Sequence, residues 1–316
     1  VPDKNMDSQR SNIPKPLPTR NPLVSIIIVY FNTPTDTVEL LESIQKLTYP
    51  AIETIIVDNS VDNDFWLRIK RDFPMVVYIQ STYNVGFAGG NNLGIEKAKG
   101  EYLLFLNSDT LVFPNSLEPM VELLMAHPEA GVISPKVLFP DGITIQYAGA
   151  RSINPYTGRG KRFGLMETDR GQFDYCQPTD LGHGAALMVP KKVIDNVGNW
   201  PTIYFLYYEE HDWVEQIKNA GYSIYYQGNS SIIHKEAMST GGLHSPLKVY
   251  YMTRNRLLFM RRNSSGIKFA SGVIFYVLFS APKDFVNYLI HGQFKILGSF
   301  FKGLIWHLKH LNLKAS

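Results

Sequence analysis

The chain has 316 residues, 45% of them hydrophobic, which suits about two domains or one large α/β domain with an appendage. Cys176 is the only cysteine, which excludes an intrachain disulfide and fits a reducing compartment. The net charge of +3 conceals an asymmetry: residues 241–316 carry eleven Lys and Arg against one acid, Asp284, a net of +10 that leaves −7 for the rest. A basic end on an acidic body points to an anionic partner there, either a membrane or a nucleic acid.

Residues 1–22 are polar, contain Pro14, Pro16, Pro18 and Pro22, and read as an extended arm rather than a signal peptide. From residue 23 strands and helices alternate. "LVSIIIVYF" is a β-branched strand, and "TPTDTVELLESIQKL" a helix with Val38, Leu41, Ile44 and Leu47 near helical spacing. "IETIIVD", "MVVYIQ" and "EYLLFLN" are further strands, with "DNDFWLRIKRDF" and "GGNNLGIEKAKG" as the helices between them. This order predicts a parallel, doubly wound sheet. Beyond residue 130 the regularity fades. "GVISPKVLFPDG" and "GAALMVP" read as strands around a polar, glycine-rich stretch, 149–180, too long for an ordinary loop. "HDWVEQIKNAGYSIYYQ" is a helix, a turn and a strand, and helices follow from about residue 246.

Two strands end in carboxylates: Asp58 in "IIVDNS" and Asp109 in "FLNSDT". Ligands of open α/β sheets bind beyond the carboxyl ends of the strands. The plain alternative makes Asp109 the cap of a following helix. Between the two lies "NVGFAGGNNLG", a turn that leads backbone N–H groups into a helix start, where anions bind. It matches neither the dinucleotide fingerprint nor a P-loop. "YFLYYEEHDW" gathers Glu209, Glu210 and Asp212, either a helix start with acids on the favourable dipole end or a general base. His234 follows an apolar run and, with a carboxylate across the sheet, offers a further point for a divalent ion.

In order and spacing, "VSIIIVYFN", "IIVDNS", "NVGFAGGNNLGIEKAKGEYLLFLNSDT", "GHGAALMVPKKVIDNVG", "FLYYEEHDW", "GYSIYYQGNSSIIH" and "YYMTRNRLLF" resemble the family 2 glycosyltransferases over residues 23–262, particularly rhamnosyltransferase-like members of bacterial surface polysaccharide assembly. The resemblance implies a GT-A fold, a Rossmann-like, mostly parallel sheet flanked by helices over 23–245; the charge and helical pattern beyond it read as a basic helical tail over 246–316. It implies an inverting transfer from a dTDP- or UDP-linked sugar to a hydroxyl of a glycan or lipid-linked acceptor. "NSD" is similar to the family's metal motif, so Asp109 would hold Mg²⁺ or Mn²⁺ on the donor diphosphate, completed by His234. Tyr30, Asn32, Asp58, Asn84, Asn92 and Asn107 would seat the donor, with Asp58 on the imide of uracil or thymine. His183 and Gly184 would line the acceptor side. The family's Glu-Asp pair is Glu209-Glu210 here, which makes Glu210 the first candidate base, with Glu209 and Asp212 as the others.

In "FKILGSFFKGLIWHLKHL", Lys295, Lys302 and Lys309 recur every seven residues on one helix face. Ile296, Leu297, Phe300, Phe301, Leu304, Leu308 and Leu311 cover the other. Such a helix suits an anionic membrane surface, placing the enzyme peripherally on the cytoplasmic side; docking on the protein's own body or on a second copy is the alternative. The longest uncharged apolar run, Phe269 to Pro282, is shorter than the roughly 18–20 residues of a spanning helix. Lysines set among bulky apolar groups fit lipid better than a nucleic-acid backbone. A sugar-nucleotide nucleotidyltransferase would need a glycine-rich, basic loop after the first strand, and "YFNTPTD" has neither feature. A non-catalytic nucleotide- or glycan-binding protein would not need Asp109, the acidic cluster and His234 together.

Overall fold

The computed structural model describes residues 20–60, 64–236 and 245–310. Most of the proline-rich arm, together with Leu311 and Lys314, lies outside the described residues. Strands β1 (Val24–Tyr30), β2 (Ile52–Asp58), β3 (Val77–Gln80) and β4 (Tyr102–Asn107) alternate with helices α1 (Pro34–Ile44), α2 (Asp64–Asp72) and α3 (Gly86–Lys97), as the alternation predicts. All four strands are parallel, in the order β3-β2-β1-β4. Every residue of β1 is buried, because helices cover both faces of a parallel sheet. Helix α3 lies close on that strand. A Cβ on Gly94 would sit 2.4 Å from Ile27, and one on Gly90 would sit 2.7 Å from Val29. Gly90 and Gly94 of "AGGNNLG" thus serve close helix–sheet packing, and the helix begins three residues before the predicted "GG".

The second half is more irregular. It contains β5 (Thr110–Val112), α4 (Glu118–Ala126), β6 (Ala130–Leu138), β7 (Ile145–Tyr147), β8 (Ala150–Asn154), β9 (Arg159–Arg162) and β10 (Cys176–Pro178). Then come β11 (Ala186–Pro190), α5 (Lys191–Val197), a 3₁₀ turn at Thr202–Tyr204, α6 (Glu209–Asn219) and β12 (Ser223–His234). The sheet runs β10-β12-β6-β11-β4-β1-β2-β3, with β11 antiparallel between β4 and β6 and β5 pairing with the far end of β12. Antiparallel pairs therefore enter only beyond β4. The glycine-rich stretch 149–180 is not one long loop. It forms the separate β8–β9 ribbon and then the edge strand β10.

Helices α7 (Pro246–Asn263), α8 (Gly266–Phe275), α9 (Ala281–Ile290) and α10 (Phe294–Lys309) complete the chain. Helix α7 is bonded to the body: Arg262 and Asn263 reach Asp212 of α6, and Asn255 reaches the backbone before it. Helices α8 and α9 join through a π turn at Tyr276–Ser280 into one continuous helix, Gly266–Ile290. Its 25 residues are long and apolar enough to cross a membrane by length and composition. The run of uncharged residues read from the sequence stops short because Lys268, Lys283 and Asp284 interrupt it, whereas the helix carries on through them. Part of the apolar face of α10 is docked on the body: Ile296, Phe300 and Gly303 are buried, and Ile296 and Phe300 pack with Val249 of α7. Phe301 and Leu308 remain exposed.

Candidate active site

A cleft of about 620 Å³ opens at the carboxyl ends of the central strands, and Asn107, Asp109, His183, Gly184, Glu210 and His234 all line it. Asp109 follows β4, and the chain beyond it enters β5 rather than a helix, so Asp109 does not act as a helix cap. Pairing of β5 with β12 sets Thr110 opposite His234. That pairing carries His234 to the tip of β4, with Nε2 3.3 Å from Asp109 Oδ1 and 3.3 Å from Asn107 Nδ2.

The orientation of His234 is set from behind. Glu236 accepts from Gln146 Nε2 at 2.9 Å, which leaves Gln146 Oε1 to accept from His234 Nδ1 at 2.8 Å. With the proton on Nδ1, the Nε2 lone pair faces the carboxylate of Asp109, two electron-pair donors side by side. Both residues are buried, and Asn107 Oδ1 beside them is buried with no partner among the described residues. This donor set fits a hard divalent cation that draws its remaining ligands from a diphosphate and water. Among the described residues, no cluster of three or more His, Cys, Asp or Glu forms a complete protein cage. Sequence reasoning missed Gln146 and Glu236, since nothing local marks them.

The three acids of α6 separate by helical geometry. Glu210 projects into the cleft against Gly184, where an added Cβ would lie 3.2 Å from its Oε1. Glu209 also borders the cleft but is almost fully buried, with Oε2 lacking a partner among the described residues. Burial first, then the charge of Glu210, pushes its carboxyl well above the usual carboxylate range. Asp212 corrects the expectation of a catalytic candidate. Its carboxylate is turned from the cleft and accepts from Arg262 Nε at 3.1 Å, Asn263 Nδ2 at 2.5 Å and Gln216 Nε2 at 2.9 Å. It ties α6 to α7.

The backbone entering α6 is strained: Phe205, Tyr207 and Tyr208 have φ of +66°, +67° and +75°. Helix α7 holds it there. Asn255 Nδ2 donates to the carbonyls of Leu206 and Tyr207 at 2.7 Å, and Arg254 donates to those of Ile203 and Tyr204. This is the role of Arg254 and Asn255 in "YYMTRNRLLF", which a helical pattern alone does not disclose.

On the acceptor side, His183 Nδ1 accepts from the Ala185 N–H at 3.2 Å. Burial, then the neighbouring His234, holds the His183 ring well below the ordinary histidine range. A smaller cavity of about 90 Å³, lined by Asn59, Asn84, Gly86 and Phe205, adjoins the cleft and shares Phe87, Ser108 and Leu206 with it. Asn84 Oδ1 accepts from the Gly86 N–H at 2.9 Å, shaping the entry to α3. Four other expected donor contacts do not line either cavity. Tyr30 is in the core, stacked on Phe65 with ring centroids 3.9 Å apart. Asn32 is exposed at φ +54°. Asp58 is fully buried and accepts from Ser60 N at 2.6 Å and from the Tyr78 hydroxyl. Asn92 clamps the Trp200 backbone through both amide atoms at 3.0 Å, so its amide has a structural task.

The family model for glycosyl transferase family 2 matches residues 25–197. A low-salt glycan biosynthesis hexosyltransferase of Haloferax volcanii is 28% identical over 241 residues, covering 74% of this chain and 74% of that protein. An N-acetylglucosaminyl-diphospho-decaprenol L-rhamnosyltransferase of Mycobacterium tuberculosis is 23% identical, over 64% of this chain and 72% of that one. Among solved structures, a mannosyltransferase from Pyrobaculum calidifontis in complex with GDP-mannose and Mn²⁺ has a TM-score of 0.59 at 17% identity. That fit covers 97% of this chain and 81% of the other, so the fold is shared. With a family model spanning more than half of its length and a cleft built at the ends of a GT-A-type sheet, the chain belongs to glycosyl transferase family 2.

Proposed function

We propose that the enzyme transfers a sugar with inversion from a dTDP- or UDP-linked donor to a hydroxyl of a glycan or lipid-linked acceptor, and that Glu210 is the base. One observation carries this reading: Glu210 faces the same cleft as the Asp109–His234 pair, whereas Asp212 is turned away and the ionised form of Glu209 is disfavoured. Glu210 takes the proton of the acceptor hydroxyl as its oxygen bonds to the anomeric carbon. The bond from that carbon to the donor phosphate oxygen breaks, and the nucleoside diphosphate leaves with the electron pair.

Asp109, with His234 and Asn107 Oδ1, would hold a Mg²⁺ or Mn²⁺ ion. When bound, that ion offsets the negative charge gathering on the leaving diphosphate. Holding both substrates in one cleft supplies the orientation for attack. Rhamnose is the first donor sugar to test, because a distant relative is named for rhamnosyl transfer. The exposed apolar side chains of α8 and α9, together with Lys268, Lys283, Lys295, Lys302 and Lys309, favour peripheral docking on an anionic cytoplasmic membrane face.

Calorimetric titration with dTDP, UDP, GDP and CDP, each with Mn²⁺ and with EDTA, tests the donor side. Metal-dependent binding of dTDP or UDP, lost in Asp109→Ala, is expected. A folded wild type that binds no nucleoside diphosphate would overturn the reading.

A further inference from the structure

The β8–β9 ribbon carries charge that no carboxylate among the described residues pairs with. Arg151 and Lys161 are directly opposed across the two strands, and Arg162 is opposite Ala150. Like charges facing each other on an antiparallel pair repel. Among the described residues, none of the three lies in an ion pair with a carboxylate; Arg151 only faces the Phe163 ring at 5.9 Å. All three are exposed, and all three line the cleft that holds Glu210, His183 and Gly184. Three cations on the rim of a concave site, two of them held opposite each other, are arranged for an anion larger than chloride.

The ribbon also has a fixed position relative to the apolar helices. Arg256 of α7 donates to Thr157 O at 3.0 Å in its turn, and Arg159 covers the Phe275 ring of α8 at 4.9 Å. Beside Phe275, Ile274, Val277, Leu278 and Phe279 are all more than half exposed. The cleft, the cationic ribbon and an apolar helix surface therefore follow one another across the protein.

We infer that Arg151, Lys161 and Arg162 form a subsite for a diphosphate carried by the acceptor, with the acceptor hydroxyl in the cleft beside Glu210 and an apolar tail toward α8. This inference rests on the transferase reading above and adds to it the chemical class of the acceptor. The donor also carries a diphosphate, so the shared chemistry has two sources. The acceptor is favoured because the ribbon is bonded to α7 and covers Phe275 of α8, whereas Asp109, Asn107 and His234 stand on other elements, at the tip of β4 and the end of β12.

The test is calorimetry on the full chain with octyl diphosphate below its micellar concentration as the probe and octyl glucoside as the neutral control. Titrations are run alone and in the presence of saturating dTDP or UDP with Mn²⁺. Octyl diphosphate is expected to bind in both conditions, more weakly as salt rises, and octyl glucoside much less. Arg151→Gln or Lys161→Gln is expected to weaken octyl diphosphate by about tenfold each, while nucleotide affinity stays unchanged. Both side chains are exposed and mutually repulsive, so the melting temperature of the variants is not expected to fall. Equal binding of octyl diphosphate to wild type and both variants would overturn the subsite. Competition between octyl diphosphate and the nucleotide, with nucleotide affinity falling in the variants, would assign these cations to the donor and overturn the acceptor assignment. Failure of the transferase reading looks different: no nucleotide binds the wild type, whether or not octyl diphosphate depends on the ribbon.

Discussion

Three acids within four residues have three different situations, and the first turn of α6 separates them. Glu210 faces the cleft, Glu209 is buried with no partner for Oε2 among the described residues, and Asp212 is held by Arg262, Asn263 and Gln216. Two substitutions separate chemistry from architecture. Glu210→Gln is expected to lower kcat by about 10²–10⁴-fold while nucleotide affinity and urea midpoint stay near wild type. Asp212→Ala removes the buried carboxylate that accepts from Arg262, Asn263 and Gln216, and is expected to cost about 3–5 kcal/mol in urea unfolding. A kcat loss in folded Asp212→Ala as large as that in Glu210→Gln would contradict this division. The sequence marks the cluster but leaves its members unresolved, because spacing shows that Glu209 and Asp212 share a face and says nothing of which face meets the cleft.

The elements that build the site are held by groups far away in sequence. Helix α7 clamps the strained backbone at Phe205, Tyr207 and Tyr208, and α10 in turn packs on α7. A Cβ on Gly303 would meet Tyr250 O at 2.9 Å, so glycine permits that close approach. At the same contact His307 Nε2 donates to Arg254 O at 2.8 Å. Burial, against the opposing pull of that hydrogen bond, lowers the His307 pKa from 6.5 to about 4. The undocked helix therefore takes up the proton first, and the contribution of His307 to docking is complete above pH 6.5 and declines toward pH 4. Amide exchange in Phe294–Lys309, corrected for intrinsic rates, is expected to accelerate across that window, and His307→Gln to flatten the dependence. Unchanged protection down to pH 4 would show that the histidine does not govern docking. The seven-residue recurrence of Lys295, Lys302 and Lys309 made the helix legible. That its apolar side is shared between α7 and the surroundings was not legible, since amphipathicity does not name the partner.

For the molecule as a whole, the basic end and the exposed apolar helices lie on the same part of the chain. Val277, Leu278 and Phe279 sit at the π turn that joins α8 to α9, each more than half exposed. Each large apolar side chain taken out of water contributes about 1.5–3 kcal/mol. The protein is expected to float with phosphatidylglycerol-containing vesicles, less so at high salt, and weakly with pure phosphatidylcholine. Leu278→Glu with Phe279→Glu is expected to abolish flotation without changing the melting temperature. Absence of flotation with the anionic vesicles would remove the membrane proposal while leaving the active-site assignment intact.

The β-α-β-α-β-α-β order, the parallel half-sheet and the carboxylate at the end of "YLLFLNSD" follow from local composition, because apolar runs and helix periods are written in neighbouring residues. What gives Asp109 its meaning is non-local. Pairing of β5 with β12 brings His234 to it across 125 positions, and Gln146 and Glu236 set the tautomer from behind. The same holds for Tyr30, Asn32, Asp58 and Asn92, which motif position marked for the donor and which the packing engages elsewhere or leaves outside both cavities. Periodicity determines which elements form and which face of each is apolar. Only the closing of distant elements on one another decides which polar atoms are engaged by the protein and which remain for a ligand.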